Sequence, residues 1–194
     1  MARIYMIRHG KAAAGWAADP DPGLDAEGRE QADAVARILG PRLSEADGPL
    51  PVLTSPLKRC RETSMPLAKL WSLVPAVEPL VSEIPSPTKD LEARGEWLRR
   101  IMPGTWADIQ NDATSGNVDF TGWRDALVAR LHEIGEDTVI FSHFIAINAA
   151  VGAATGDDRV VCFRPDNCSV TQFDVSSGGL KVVALGREAD TVVR

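Results

Sequence analysis

Three short stretches carry side chains whose types could do chemistry together: Arg8-His9-Gly10, Ser55-Pro56-Leu57-Lys58-Arg59 and Ser142-His143. Each follows an apolar run, at residues 4–7, 52–53 and 139–141. Each run therefore reads as a strand whose C-terminal end meets polar or basic residues. In an open parallel sheet, ligands bind in the crevice at the carboxyl ends of the strands. If the three strands are neighbours, Arg8, His9, Arg59 and His143 converge on one point. Two arginines and two imidazoles around one crevice suit a doubly charged anion, most simply a phosphoryl group.

The rest of the composition sets bounds on that reading. The chain has 194 residues, 44% hydrophobic and 25% charged, which fits one globular domain with a sizeable core. A net charge of −6 argues against nucleic acid as a partner, because phosphate-backbone binding needs a basic field. Any bound anion must be held by a local cluster of cations. Cys60, Cys162 and Cys168 show neither C-x-x-C pairing nor metal-ligand spacing with the histidines, so a reducing compartment is expected. The apolar run at the N-terminus is too short for a signal-peptide core, and no stretch is long enough to span a bilayer. The expectation is a cytoplasmic protein without a membrane partner.

The elements that must position these residues follow from pattern. Residues 2–8 read as a strand buried on both faces, since Ile4, Met6 and Ile7 show no polar alternation. Residues 11–23 read as a loop, and a helix is expected from about Asp25 to Leu39, capped by Asp25 and stopped by Gly40-Pro41. A strand at 51–54 leads to a helix with Ser55 as cap and Pro56 at its first position, bent or ended near Met65 by Pro66. Further strands are expected at 77–81, 138–141, 160–163, 169–175 and 180–185, and helices at 123–134 and 144–154. The Pro-, Gly- and Trp-bearing stretch 84–122 reads as an inserted helical cap. Alternating strands and helices predict an α/β fold. The expected form is a three-layer α/β/α sandwich around a mostly parallel mixed sheet, in one domain over 1–194.

Taken together these stretches resemble the histidine phosphatase superfamily, also called the phosphoglycerate mutase-like family. The likeness extends to Glu62-Thr63 in the second stretch, to residues 24–32 as the family's first helix and to Asn167-Cys168-Ser169 as its late turn. The resemblance implies that fold, and a reaction in which His9 attacks phosphorus to give a phosphohistidine that water hydrolyses. Arg8, Arg59 and His143 would hold the phosphoryl oxygens, and Gly10 would let backbone approach the phosphate. Ser55, chiefly a helix cap, also has a hydroxyl within plausible reach of phosphate. His9 should be neutral to attack and His143 protonated beside the anion.

A general acid is needed for the leaving oxygen. Glu83 is the best candidate, where the family often places its glutamate, with Glu78, Asp90, Glu92 and Glu96 as substitutes. Neither a metal nor a cofactor is implied. The expected partner is a small phosphorylated substrate, and a homodimer is neither demanded nor excluded. Lys11 after Arg-His-Gly and Gly15 in place of a phosphate-touching Asn depart from mutase members, and Phe144-Ile145 after the second histidine departs from the Gly-Gly of many family members. They favour phosphomonoester hydrolysis. A mutase-type phosphotransferase, a protein phosphohistidine phosphatase and a non-catalytic phosphate-binding module remain alternatives. Trp97, Trp106, Trp123 and Cys60 read as packing residues, and His132 as a surface residue.

Overall fold

The N-terminal apolar run is β1 (Ala2–Arg8) in the computed structural model, which describes residues 1–15, 18–44 and 48–189. Residues 16 and 17 of the expected 11–23 loop lie outside that description. The chain continues through α1 (Ala26–Arg42), β2 (Val52–Thr54), α2 (Lys58–Leu70), β3 (Ala76–Val77), α3 (Leu91–Ile101) and α4 (Trp106–Asn111). It then forms α5 (Phe120–His132), β4 (Thr138–Ser142), α6 (Phe144–Thr155), β5 (Val170–Ser176) and β6 (Gly179–Ala184). One sheet runs in the order β3-β2-β4-β1-β5-β6. Its first four strands are mutually parallel, and β5 and β6 add an antiparallel edge. The register sets Arg8 opposite Ser142 and Thr54 opposite Phe141, so three polar strand ends lie side by side.

The side-chain period of two divides the core into two layers. Ile4 and Met6 of β1 join Ile140 of β4, Leu127 and Leu131 of α5, and most of α6 on one face. Ile7 joins Val139 and Phe141 on the other, against Val35, Ala36 and Leu39 of α1 and Leu67 of α2. Each large side chain buried this way contributes about 1.5–3 kcal/mol. Because both faces are covered, the middles of β1 and β4 are apolar, Ile4 to Ile7 and Val139 to Phe141, and form the floor on which the polar ends stand. Among the described residues, no helix is long and apolar enough to cross a membrane.

Several local expectations are corrected. Residues 160–163 form no strand: the backbone N–H groups of Cys162 and Phe163 donate to Asn148 Oδ1, at 2.7 and 3.1 Å, and so need no ladder partner. The strand expected over 77–81 is cut to Ala76–Val77, because Pro79 offers no N–H and Glu78 caps a 3₁₀ turn at Pro79–Val81. Ser55 is not the cap of α2. Leu57 holds that position without a side-chain bond, and the helix begins at Lys58. Pro66 does not end α2, since buried Thr63, Ser64, Leu67 and Ala68 anchor the helix on both sides of it. Likewise α1 continues past Gly40-Pro41 to Arg42, with Leu43 N–H closing on Leu39 O at 3.0 Å.

Residues 84–122 supply α3 and α4, whose Trp97, Ile101, Trp106 and Ile109 share a core with α5 and α6. The indole of Trp97 stacks on Phe120 at 5.3 Å, and Trp106 lies 5.8 Å from Trp123, so these rings pack the core.

At the exit of β1 the backbone comes unusually close to α1. A Cβ on Gly10 would lie 2.5 Å from Gly28 O, and one on Gly28 would collide with Lys11 O. Backbone cannot yield as a flexible side chain would. Gly28→Ala should therefore cost about 1–3 kcal/mol, the usual penalty of overpacking. In a chain of this size that lowers the melting temperature by about 2–10 °C. A thermal melt of the variant checks this, and an unchanged Tm would show that α1 shifts freely.

Candidate active site

Residues 8–10 leave the sheet under restraint from both sides. His9 N–H donates to Ser142 O at 3.0 Å, Arg8 N–H to Ser169 O at 3.2 Å, and Cys168 N–H to Arg8 O at 3.0 Å. Asn167 Nδ2 donates to His9 O at 2.8 Å, from a turn in which Cys168 adopts a left-handed φ of 54°. Thr63 Oγ1 accepts from Gly10 N–H at 3.0 Å and donates to Arg59 O at 2.6 Å, tying α2 to the same turn. The position of His9 is thus fixed by backbone contacts to β4, α2 and the 167–169 turn.

The His9 ring is buried, with Nδ1 2.8 Å from Gly10 O. A carbonyl oxygen only accepts, so Nδ1 carries the proton and the Nε2 lone pair is free. Burial, reinforced by the charges of Arg59 and Arg8, holds His9 well below the ordinary imidazole range. The ring meets His143 edge-on, with centroids 5.3 Å apart.

His143 is fully buried, its Nε2 lying 2.8 Å from Ser55 Oγ and 3.3 Å from Cys60 Sγ. It too is held well below the usual range, by burial first and then by Arg59, His9 and Arg8. In the free chain, desolvation and the nearby guanidinium charges both oppose a cation there. Two consequences follow from these depressed values. Both rings should be neutral at pH 6, where an unperturbed imidazole is mostly protonated, as an imidazole ¹⁵N titration would reveal. The stability they contribute is present above pH ~6.5 and is lost as pH falls through their folded values, since unfolding then takes up protons.

Arg8 is buried, donates from Nη1 to Pro165 O at 2.9 Å and lies over the Phe144 ring at 5.1 Å. Its Nε has no partner among the described residues. Phe144 thus supports a guanidinium. Arg59 is also buried, with Asp21 Oδ1 at 3.9 Å, and that same carboxylate oxygen accepts from Lys58 N–H at 2.8 Å. Glu83 is buried and its Oε1 accepts from Ile84 N–H at 3.1 Å and Ile145 N–H at 3.2 Å. Burial raises its pKa, against opposing pulls from Arg59, the Ile84 N–H, Arg8 and Arg94.

The other carboxylates considered as acids are engaged elsewhere or exposed. Glu78 pairs with Arg130 at 2.7 Å, Asp90 caps α3, and Glu92 and Glu96 are exposed.

A cleft of about 870 Å³ opens over this cluster, lined at its floor by Arg8, His9, Arg59 and Arg94. His143, Glu83, Ser55 and Gly10 are not among its lining residues. Ser55 contacts His143, and Gly10 makes room for α1. Lys11 lies at the rim, 2.5 Å from Glu27 Oε2 and 3.6 Å from Asp25 Oδ2, and Gly15 lines the wall. Arg94 was not expected from the sequence. It sits on the stripe of Trp97, Leu98 and Ile101 in α3, and an arginine on a buried helix face is the signal that marks it. Among the described residues, no group of three or more His, Cys, Asp or Glu side chains is arranged to hold a metal ion.

A strand end and two helices that bring one imidazole and three arginines to a single cleft, with a second imidazole 5.3 Å from the first, define an α/β protein built to take an anion. The chain matches the histidine phosphatase superfamily (branch 1) over residues 4–188, and it belongs to that superfamily. Its fold is shared with a solved mycobacterial hydrolase, 24% identical at a TM-score of 0.70, covering 97% of this chain and 99% of that one. Mycobacterial glucosyl-3-phosphoglycerate phosphatase is 22% identical at a TM-score of 0.69, covering 95% and 98%. Phosphoserine phosphatase from Entamoeba histolytica, in complex with 3-phosphoglyceric acid, is 17% identical at 0.72, covering 96% and 98%. A PE-PGRS family protein of Mycobacterium tuberculosis is 38% identical over 87 residues, 42% of this chain but only 14% of that protein's length.

Proposed function

We propose that this chain is a metal-independent phosphomonoester hydrolase that works through a phosphohistidine on His9. The observation that carries this reading is the bond from His9 Nδ1 to Gly10 O, which leaves the Nε2 lone pair free at the floor of an arginine-lined cleft. The substrate phosphoryl group is held by Arg8, Arg59 and Arg94, whose charges offset those that build up on its oxygens in the transition state. Nε2 attacks phosphorus as the ester P–O bond breaks, and Glu83 gives its proton to the leaving alcohol oxygen. Water then attacks the phosphohistidine while the Glu83 carboxylate takes up a proton, releasing phosphate and restoring both groups. His143, held by Ser55, steadies the transferring group. The same reading puts the protein in the cytoplasm with a small phosphorylated substrate.

Hydrolysis of an aryl phosphate from pH 5 to 8 in the presence of EDTA tests this directly. Rapid alkaline denaturation during turnover should trap acid-labile phosphate on the protein. Activity that disappears in EDTA, or turnover without trapped phosphohistidine, would refute the mechanism. Phosphate binding without any turnover would leave the non-catalytic alternative.

A further inference from the structure

We propose that the rim of the cleft selects phosphomonoesters whose alcohol portion carries no negative charge, a sugar or amino-alcohol phosphate rather than a phosphorylated carboxylate or a bisphosphate. This selection rests on the hydrolase reading above and concerns the same cleft. The charges lining it separate into two sets. Arg8, Arg59 and Arg94 belong to the floor: Arg8 keeps a buried Nε without a partner among the described residues, and Arg94 sits within the influence of both Glu83 and Arg59. These three groups are matched to the phosphoryl oxygens.

The remaining charged lining residues are Lys11, Asp19, Asp25, Glu27, Asp166 and Arg187. They set two cations against four carboxylates. Both cations are already paired, Lys11 with Glu27 and Asp25, and Arg187 with Asp166 at 2.6 Å. The leaving group is one ester bond away from phosphorus, so it must lie against this rim when the phosphoryl group is on the floor. A second anion there finds no unpaired cation among the described residues, and drawing Lys11 or Arg187 toward it would expose the carboxylates they now cover.

A neutral body meets no such opposition. Ala12, Ala13, Ala14 and Gly15 form a stretch of wall with neither charge nor a hydrogen-bonding side chain, and the cleft has room for more than the phosphoryl group. Two excess negative charges about 8 Å from a carboxylate, in surroundings close to water, disfavour it by roughly tenfold. Salt weakens such an effect over this distance.

The test compares glycerol 3-phosphate, phosphoethanolamine and 3-phosphoglycerate in two ways: kcat/KM with the wild-type chain, and calorimetric binding to His9→Ala. We expect 3-phosphoglycerate to trail the other two by roughly tenfold at low salt. The gap should shrink severalfold in 0.5 M salt and in an Asp19→Asn/Glu27→Gln double variant. Equal or better use of 3-phosphoglycerate, or a gap that ignores both salt and the double variant, would overturn the proposal. Turnover of all three without preference would sink the rim selection and leave the hydrolase standing. Graded binding without turnover of any would do the reverse, and absence of binding would sink both.

Discussion

Replacing His9 by alanine should reduce turnover by on the order of 10⁴-fold or more, the scale on which covalent catalysts lose activity without their nucleophile. The loss should fall on kcat. Arg8, Arg59 and Arg94 are untouched by the substitution, so inorganic phosphate should still bind within a few-fold of wild type. The free Nε2 supplies the bond to phosphorus, and nothing else in the cleft can replace it. Cys60, in contact with His143, is fully buried and its thiol is pushed up by burial, which leaves it inert. Added imidazole, small enough to enter the vacated space, should restore a fraction of the rate. An alanine variant that keeps more than a tenth of wild-type kcat would exclude His9 as the nucleophile.

Glu83→Gln should lower kcat by about 10²–10⁴-fold on alkyl phosphates, the range associated with loss of a general acid. Glutamine keeps the shape and can still accept from the Ile84 and Ile145 N–H groups, so the fold around it should persist. On a nitrophenyl ester, whose leaving group needs little protonation, the loss should be far smaller. That dependence on leaving group separates a proton donor from a residue that merely supports the site. The alkaline limb of the pH–kcat/KM profile should move or vanish with it.

The same substitution has a readable effect on stability. The folded pKa of Glu83 is raised, chiefly by burial, above the carboxylate reference of 4.5. Its protonated form therefore favours the fold, and its contribution is complete below that reference and is lost as pH rises through the folded value. At pH 8 the glutamine variant should melt at a higher temperature than wild type while turning over more slowly. Such a trade of stability for activity is common where a site holds an uncomfortable group. A variant that melts lower at pH 8, or that loses alkyl and aryl turnover equally, would remove Glu83 from the acid's role.

Much of this site was legible because its residues follow short apolar runs without polar alternation. Ile4, Met6 and Ile7, and likewise residues 139–141, demand burial on both faces, and local pattern alone then places Arg8, His9 and His143 at strand ends. Side-chain chemistry did the rest, since two imidazoles with Arg8 and Arg59 suit one kind of ligand. What pattern could not supply was anything set by contact between distant segments. The order β2-β4-β1, which makes the three ends neighbours, depends on backbone pairing between distant segments, Ile4 with Thr138 and Val52 with Val139.

The misplaced elements have the same origin. Asn148 satisfies backbone that an isolated apolar run would have paired in a ladder, and buried neighbours carry α2 past Pro66. Arg94 reaches the cleft only because Trp97 and Ile101 seat α3 on the core, while Ser55 is drawn to His143 rather than outward. The protonation of the histidines is likewise a tertiary result. Composition makes an imidazole available, but its proton is located by the Gly10 carbonyl and its charge is suppressed by burial beside two arginines. Residue type fixes which chemistry a side chain can do, and long-range packing fixes the solvent, partners and field that decide whether it does so.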